Sequence, residues 1–169
     1  MSRVFYIFLL GFSLLLSGCG FSPLYGKNSV RANIQPEFDS IFIANIPDHE
    51  GQFLRNALMD RLYQNGRPYS PKYTLSFSPI KEAKADLDVT KNSDTTRVQL
   101  RLSTHMKLSD NQSGNILLER DLISIASYNI LQSQFTTRVS EENTRQNVLN
   151  ILAEQAETQL ALYFNRSAP

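Results

Sequence analysis

The chain has 169 residues, with 17 basic and 16 acidic side chains and a single cysteine. This near-neutral charge argues against bulk nucleic-acid binding and against a polybasic membrane patch. One cysteine excludes an internal disulfide and any zinc site with several thiolate ligands.

The first residues have the pattern of a bacterial export signal. Arg3 precedes an apolar run, 4–16, that is shorter than the roughly 20 residues of a membrane-spanning helix and has no basic flank after it. A Leu-Ser-Gly-Cys motif ending at Cys19 then matches the lipobox, in which small residues admit the peptidase before a diacylated cysteine. An ordinary signal peptide with a chance cysteine is the alternative, but Cys19 stands at the required place. We therefore expect residues 1–18 to be removed and Cys19 to be lipidated.

The residues after the cysteine suggest where the chain is held. Gly20 replaces the aspartate that commonly retains enterobacterial lipoproteins in the inner membrane, so we expect the outer membrane, on its periplasmic side. Each buried acyl methylene contributes about 0.8 kcal/mol, so several chains on one residue would make the membrane anchor effectively permanent. Residues 19–39 are polar and contain three Gly or Pro breaks beyond Gly20, which predicts a tether.

Residues 40–169 are long enough for one domain and begin with a strand and a helix. The isoleucine-rich run at 40–46 predicts a buried strand. Leucines at helical spacing predict a helix from about Gly51 to Gln64, which Asn65 and Gly66 end.

The next segments predict strands. Apolar and polar residues alternate over 73–78 and, most clearly, over 97–108, which indicates strands with one buried and one wet face. Residues 80–94 are weakly patterned and predict a strand continuation followed by a turn. The turn residues of 110–115 connect the long strand to another at 116–128, so these two should form an antiparallel hairpin.

The chain closes with a long predicted helix and completes an α+β order of β-α-β-β-β-α. The helix runs from Ser140 to about Asn165. Glu141 and Glu142 would lie in its first turn, where acidic side chains stabilise a helix. A helical crossover makes the first two strands parallel, and the short turns make the others antiparallel. These elements predict a two-layer sandwich with two helices on one face of a four-stranded mixed sheet.

Catalytic and metal-binding patterns are missing from the sequence. His49 and His105 are isolated, and no nucleophile elbow, phosphate loop or dinucleotide fingerprint occurs. We therefore expect neither enzyme activity, nor a metal, nor a cofactor.

Several stretches resemble the LptE family of lipopolysaccharide-assembly lipoproteins, in its alphaproteobacterial form. No single motif is chemically diagnostic, but the stretches follow one another in the same order as in that family and together span nearly all of the mature chain. The stretches are Gly-Phe-Ser-Pro-Leu-Tyr-Gly at 20–26, Gly-Gln-Phe-Leu-Arg-Asn at 51–56, Thr-Thr-Arg at 95–97, Ser-Tyr-Asn at 127–129 and Leu-Tyr-Phe at 162–164.

This resemblance implies a non-enzymatic function and the same two-layer fold. LptE-like proteins occupy the lumen of the outer-membrane barrel LptD in a one-to-one complex, help it assemble, and assist delivery of lipopolysaccharide to the cell surface. Two alternatives remain open: a lipoprotein subunit of another envelope assembly or secretion complex, and a periplasmic enzyme with an unrecognised site.

The wet face of the long strand offers a candidate site for lipopolysaccharide. Alternation places Arg97, Arg101, His105 and Lys107 on one side of the sheet, and arginine binds phosphate through paired, charge-assisted hydrogen bonds. The alternative is an ordinary solvated face whose charges are balanced across the hairpin by acids such as Glu119 or Asp121. We take Arg97, Arg101 and Lys107 as the candidate lipopolysaccharide-binding residues.

Overall fold

A computed structural model of the protein describes residues 30–64, 66–89 and 95–167. The signal peptide and the lipidation site Cys19 lie outside these ranges. Within them, no helix combines the length and apolar character that crossing a membrane requires. The elements are α1 (Val30–Phe38), β1 (Ile41–Ile43), α2 (Asp48–Leu62), β2 (Tyr73–Phe77), β3 (Lys81–Val89), β4 (Thr95–Asp110), β5 (Ile116–Asn129) and α3 (Gln134–Ser167).

The sheet is mixed and is organised around β4. β1 pairs with β2 in parallel, and all other pairs are antiparallel, as the sequence predicted. β5 pairs along one edge of β4, while β2 and β3 lie end to end along the other. The described sheet therefore has five strands rather than the predicted four, because the segment expected to continue β2 forms a separate strand.

The missed strand β3 has an unusual inner face. Its register places Glu82 and Lys84 beside Leu102 and Leu100 of β4. The positions of β3 that point toward the helices are therefore charged rather than apolar. For this reason no apolar alternation reveals the strand in the sequence.

The helical layer also differs from the prediction. α1 adds a third helix to the described chain, and its Ile34 and Phe38 are buried in the core. The compact unit that contains the core begins at Ile34, so the last residues of the predicted tether pack with the domain. α3 begins at Gln134, six residues before the predicted start at Ser140. The sequence does not reveal these first turns because they are exposed and lack the apolar stripe that marks the rest of the helix.

A continuous apolar core lies between the sheet and the helices. Every second side chain of β4 from Val98 to Leu108 is buried, and α3 contributes buried residues from Val148 onward. Burying one such leucine stabilises the fold by about 1.5–3 kcal/mol. The core therefore fixes which face of β4 points inward, and with it which residues remain on the opposite face.

Candidate ligand-binding face

The outer face is the side of the sheet opposite α2 and α3, and no described element covers it. Arg97, Arg101 and His105 of β4 are exposed, and Lys107 is half-buried on the same side. All four point outward because the intervening residues of β4 enter the core. The structure thus places the predicted basic residues along one strand of an uncovered face.

His105 is the residue of this row whose charge is balanced across the hairpin. Its Nδ1 lies 2.7 Å from Asp121 Oδ1, and its Nε2 lies 3.8 Å from Glu119 Oε1. The hydrogen bond to Asp121 and the nearby charge of Glu119 raise the pKa of His105 above its ordinary value of 6.5. For His105, the solvated, charge-balanced face is therefore the better description.

Arg97 and Arg101 have a different environment. Ala83 and Ile125 lie on either side of Arg101 in the sheet register, and Asn129 lies opposite Arg97 on β5. Within the described ranges, neither arginine forms an ion pair with a carboxylate. Asp88 stands beside Arg97 in the backbone register of β3. The guanidinium groups therefore remain accessible to an anionic ligand.

Lys107 also has an acidic neighbour in the sheet register. Glu119 is its register partner on β5, but no ion pair joins the two side chains in the described structure. Ser76 of β2 occupies the other side and donates a weak hydrogen bond of 3.4 Å to the Lys107 carbonyl oxygen. Of the three candidate residues, Lys107 is the least exposed.

A second charged cluster lies on the inner face, where β3 meets the first half of α3, and the sequence did not predict it. Arg145 lies 3.0 Å from both Glu82 and Glu141 and 3.2 Å from Glu142. Lys84 lies 2.6 Å from Glu141, and Tyr128 donates a hydrogen bond to that carboxylate. We call these residues, together with Glu50 at 3.7 Å from Arg145, the ionic cluster.

Mutual hydrogen bonding sets the electrostatics of this cluster. The hydrogen bond from Lys84, followed by one from Arg145, holds the pKa of Glu141 below its ordinary value of 4.5. Partial burial lowers the pKa of Arg145, but the hydrogen bonds to Glu82 and Glu141 outweigh that effect and raise it. Glu141 therefore connects α3 to Lys84 of β3, while Glu142 pairs with Arg145 on the same helix, and neither marks a helix start.

The described residues provide no metal site. No group of three or more His, Cys, Asp or Glu side chains among them is placed to hold an ion. His49 is exposed near the start of α2 and lies far in sequence from His105.

The stretch at 51–56, one of those that carry the family resemblance, has a structural role. A Cβ added at Gly51 would lie 2.9 Å from the Ile46 carbonyl carbon and oxygen, so only glycine lets α2 approach the chain there. Leu54 is fully buried, and Arg55 Nε donates to the Ile43 carbonyl oxygen at 3.4 Å. This motif therefore anchors α2 to the end of β1.

Comparison with known proteins gives one related sequence and several related structures. No family model matches the chain. An uncharacterized protein of Rickettsia prowazekii is 28% identical over 168 residues, which cover 95% of this chain and 98% of that protein.

Three of the structural neighbours are bacterial lipoproteins. A candidate lipoprotein of Caulobacter crescentus superposes with a TM-score of 0.63 at 19% identity, covering 79% of this chain and 96% of that one. A minor lipoprotein of Acinetobacter baumannii gives 0.59 at 23% identity, with coverages of 73% and 91%. Rare lipoprotein B of Shewanella oneidensis gives 0.58 at 9% identity, with coverages of 76% and 98%. The chain therefore has a fold that it shares with bacterial lipoproteins.

Proposed function

We propose that this chain is a lipid-anchored outer-membrane lipoprotein that plugs the LptD barrel, assists its assembly and helps deliver lipopolysaccharide to the cell surface. The observation that carries the proposal is the uncovered, largely polar outer face of a domain with a lipoprotein fold. A wide outer-membrane barrel has a polar interior. A compact domain with a polar sheet face can fill that interior through hydrogen bonds.

The lipobox supports the same function. A lipid on Cys19 would hold the domain at the periplasmic leaflet and raise its effective concentration beside the barrel. Affinity per contact can then be modest, which agrees with a contact surface made of polar side chains. The proposed role is non-enzymatic and uses no cofactor.

Depletion tests this proposal in cells. If the chain acts on the barrel, its loss lowers mature LptD and surface lipopolysaccharide together, while an unrelated outer-membrane barrel keeps its normal level. Normal amounts of both LptD and surface lipopolysaccharide in depleted cells would overturn the transport role. In the same strain, Cys19→Ser should lose fatty-acid label and accumulate as uncleaved precursor in the inner membrane.

Within this function, we assign lipopolysaccharide binding to Arg97, Arg101 and Lys107. The phosphates of lipid A are anions, and the two arginines combine exposure with the absence of an ion-pair partner in the described structure. His105 is left out because Asp121 and Glu119 already engage it.

Charge reversal tests this site. Arg97→Glu with Arg101→Glu should weaken binding of purified lipopolysaccharide in a salt-sensitive way, while the thermal midpoint and barrel co-purification stay nearly unchanged. Arg138→Glu with Arg166→Glu, both exposed on α3, is the matched control and should bind normally. Unchanged binding in the first variant, with its fold intact, would eliminate the site and leave the plug role in place.

A further inference from the structure

The free edge of β5 has the features of a site for strand addition. Among the described strands only β4 pairs with β5, so one edge of this 14-residue strand has no strand beside it. An unpaired edge presents a row of backbone N–H and C=O groups that another extended chain can pair with. Long exposed edges of this kind are uncommon in soluble domains, which usually shorten, cover or charge them.

The hydrogen bonds identify which residues face this edge. The Ile123 carbonyl oxygen accepts a hydrogen bond from Gln155 Nε2 of α3 at 3.1 Å, so this residue points away from β4. In an antiparallel ladder, alternate residues turn both backbone groups to the same side. Ile125 and the other odd-numbered residues of 119–127 therefore also face the free edge, and their side chains lie on the outer face.

The two sides of this edge differ in polarity. On the outer face, Ile123 and Ile125 are 41% and 49% exposed, which leaves two adjacent apolar side chains without cover. On the side of the helices, a groove of about 540 Å³ runs between β5 and α3. Its α3 wall carries one apolar residue, Ile151, and four polar ones, which are Glu154, Gln155, Thr158 and Gln159. A strand added here would contact apolar side chains on its outer face and mainly polar residues of α3 on the face toward the helices.

We propose that the β5 edge binds an extended segment in which apolar and polar residues alternate. This inference rests on the proposed function, because alternation of this kind is the pattern of a membrane-spanning barrel strand. The edge would then hold a strand of the unassembled barrel by antiparallel pairing, and this pairing would be the physical means of assisting assembly. Acids beside the N-terminal part of this edge, Glu119, Asp121 and Glu154, favour basic residues at the end of the segment that lies there.

The register makes a specific prediction about the partner strand. Directly opposed residues of an antiparallel pair place their side chains on the same face. The partner residues that exchange hydrogen bonds with Ile123 and Ile125 therefore have their side chains on the outer face, which is the apolar side. Only the backbone N–H groups of the apolar residues of the segment should point to β5.

Paired N-methylated peptides test this prediction on the full-length lipidated chain in detergent micelles. The probe is a fluorescent, end-capped Lys-Val-Thr-Val-Thr-Val-Thr-Lys peptide, and anisotropy measures its affinity. Methylating the valine N–H groups should weaken binding roughly tenfold or more, because several hydrogen bonds are lost, whereas methylating the threonine N–H groups should change little. Equal binding of the two methylated peptides, or no binding of the parent peptide, would overturn the proposal.

Variants of the chain give an independent test. Ile125→Pro removes an outward N–H without breaking the ladder to β4, so it should weaken peptide binding more than Ile125→Ala, which keeps the N–H. Gln155→Ala removes the side chain that occupies the Ile123 carbonyl and should strengthen binding. Concentration-dependent dimers of the free chain that Ile125→Pro abolishes would assign the edge to a second copy and overturn the proposal. If the wild-type chain still co-purifies with the barrel, any of these negative results overturns only the proposal for the β5 edge. If the wild-type chain does not co-purify with the barrel, the proposed function itself is wrong.

Discussion

Two halves of the sandwich use different forces to hold the helices on the sheet. In the apolar half, α2, β2 and the C-terminal part of α3 contribute fully buried residues such as Leu58, Leu75 and Leu160. In the ionic half, Glu82 and Lys84 of β3 contact Glu141 and Arg145 of α3, and residues 134–147 of this helix include no buried residue. Contacts there are made by the ionic cluster, with Arg145 at its centre.

This difference predicts unequal stability along the domain. A buried leucine stabilises the fold by about 1.5–3 kcal/mol. Partly exposed ion pairs contribute about 0–1 kcal/mol each and weaken as salt rises. We therefore expect the ionic half to open first, and its opening to depend on salt and pH. Exposed Phe135 and Val139 lie on this half of α3, so the first turns of the helix also lack apolar anchoring to the sheet.

The largest effect is expected from a charge in the apolar half. Leu152 is fully buried on α3, so Leu152→Asp should lower the free energy of unfolding by about 3–5 kcal/mol, because an unpaired charge would be buried. Urea unfolding followed by circular dichroism measures the loss. Asn150→Asp adds the same charge at an exposed position of the same helix and should change little. Equal midpoints for the two variants would refute the assignment of this half as a dry core.

Gly51 tests the junction between the halves, where α2 begins. Alanine normally favours a helix over glycine by about 1 kcal/mol. At this position its Cβ would meet the backbone of Ile46 at 2.9 Å, so Gly51→Ala should instead destabilise the domain by about 1–3 kcal/mol. Thermal unfolding compares it with Gln52→Ala, an exposed change in the same turn. A thermal midpoint at or above that of the wild-type chain would mean that α2 does not pack against Ile46 as described.

Arg145 tests the ionic half directly. Arg145→Met should lower the free energy of unfolding by about 1–2 kcal/mol, since several carboxylates lose their shared cation but remain partly hydrated. Added sodium chloride should destabilise the wild-type chain more than the variant. Arg138→Met is the control, because Arg138 is exposed on the same helix and forms no ion pair within the described ranges. Identical salt dependence in all three chains would show that the cluster does not hold α3 to β3.

The smallest effect is a pH dependence of the same contact. The pKa of Glu141 is lower in the folded chain than its ordinary value of 4.5, mainly through Lys84. Its stabilising contribution is therefore complete above pH 4.5 and is lost as the pH falls through the folded value. Asp110 also has a lowered pKa and adds acid sensitivity, so the difference between wild-type and Glu141→Gln isolates Glu141. Parallel stability curves for these two chains between neutral and acidic pH would contradict this role.

The sequence predicted the elements whose burial has a local period. β4 and β5 were recognised because one face of each enters the core, and alternation within a single strand reveals that face. The positions of Arg97 and Arg101 on the outer face followed directly from this alternation.

Features that depend on distant partners were not predictable in this way. β3 lacks apolar alternation because Lys84 and Glu82 are paired with Glu141 and Arg145, which follow 57 and 63 residues later. α1 contains Pro36 and has a short apolar stripe, so the sequence does not reveal its packing against α3. In the structure, Phe38 of α1 lies beside Phe164 of α3, with ring centroids 6.3 Å apart. The exposed Ile123 and Ile125 interrupt the polar outer face on β5, which pairs only with β4 among the described strands.

An affinity pull-down of the lipidated chain from detergent-solubilised outer membrane tests the proposed function most directly. We expect LptD to co-purify in a one-to-one complex, and we expect this complex to survive Arg97→Glu with Arg101→Glu. Recovery of a different envelope assembly or secretion complex, or of no barrel from membranes that contain mature LptD, would contradict it.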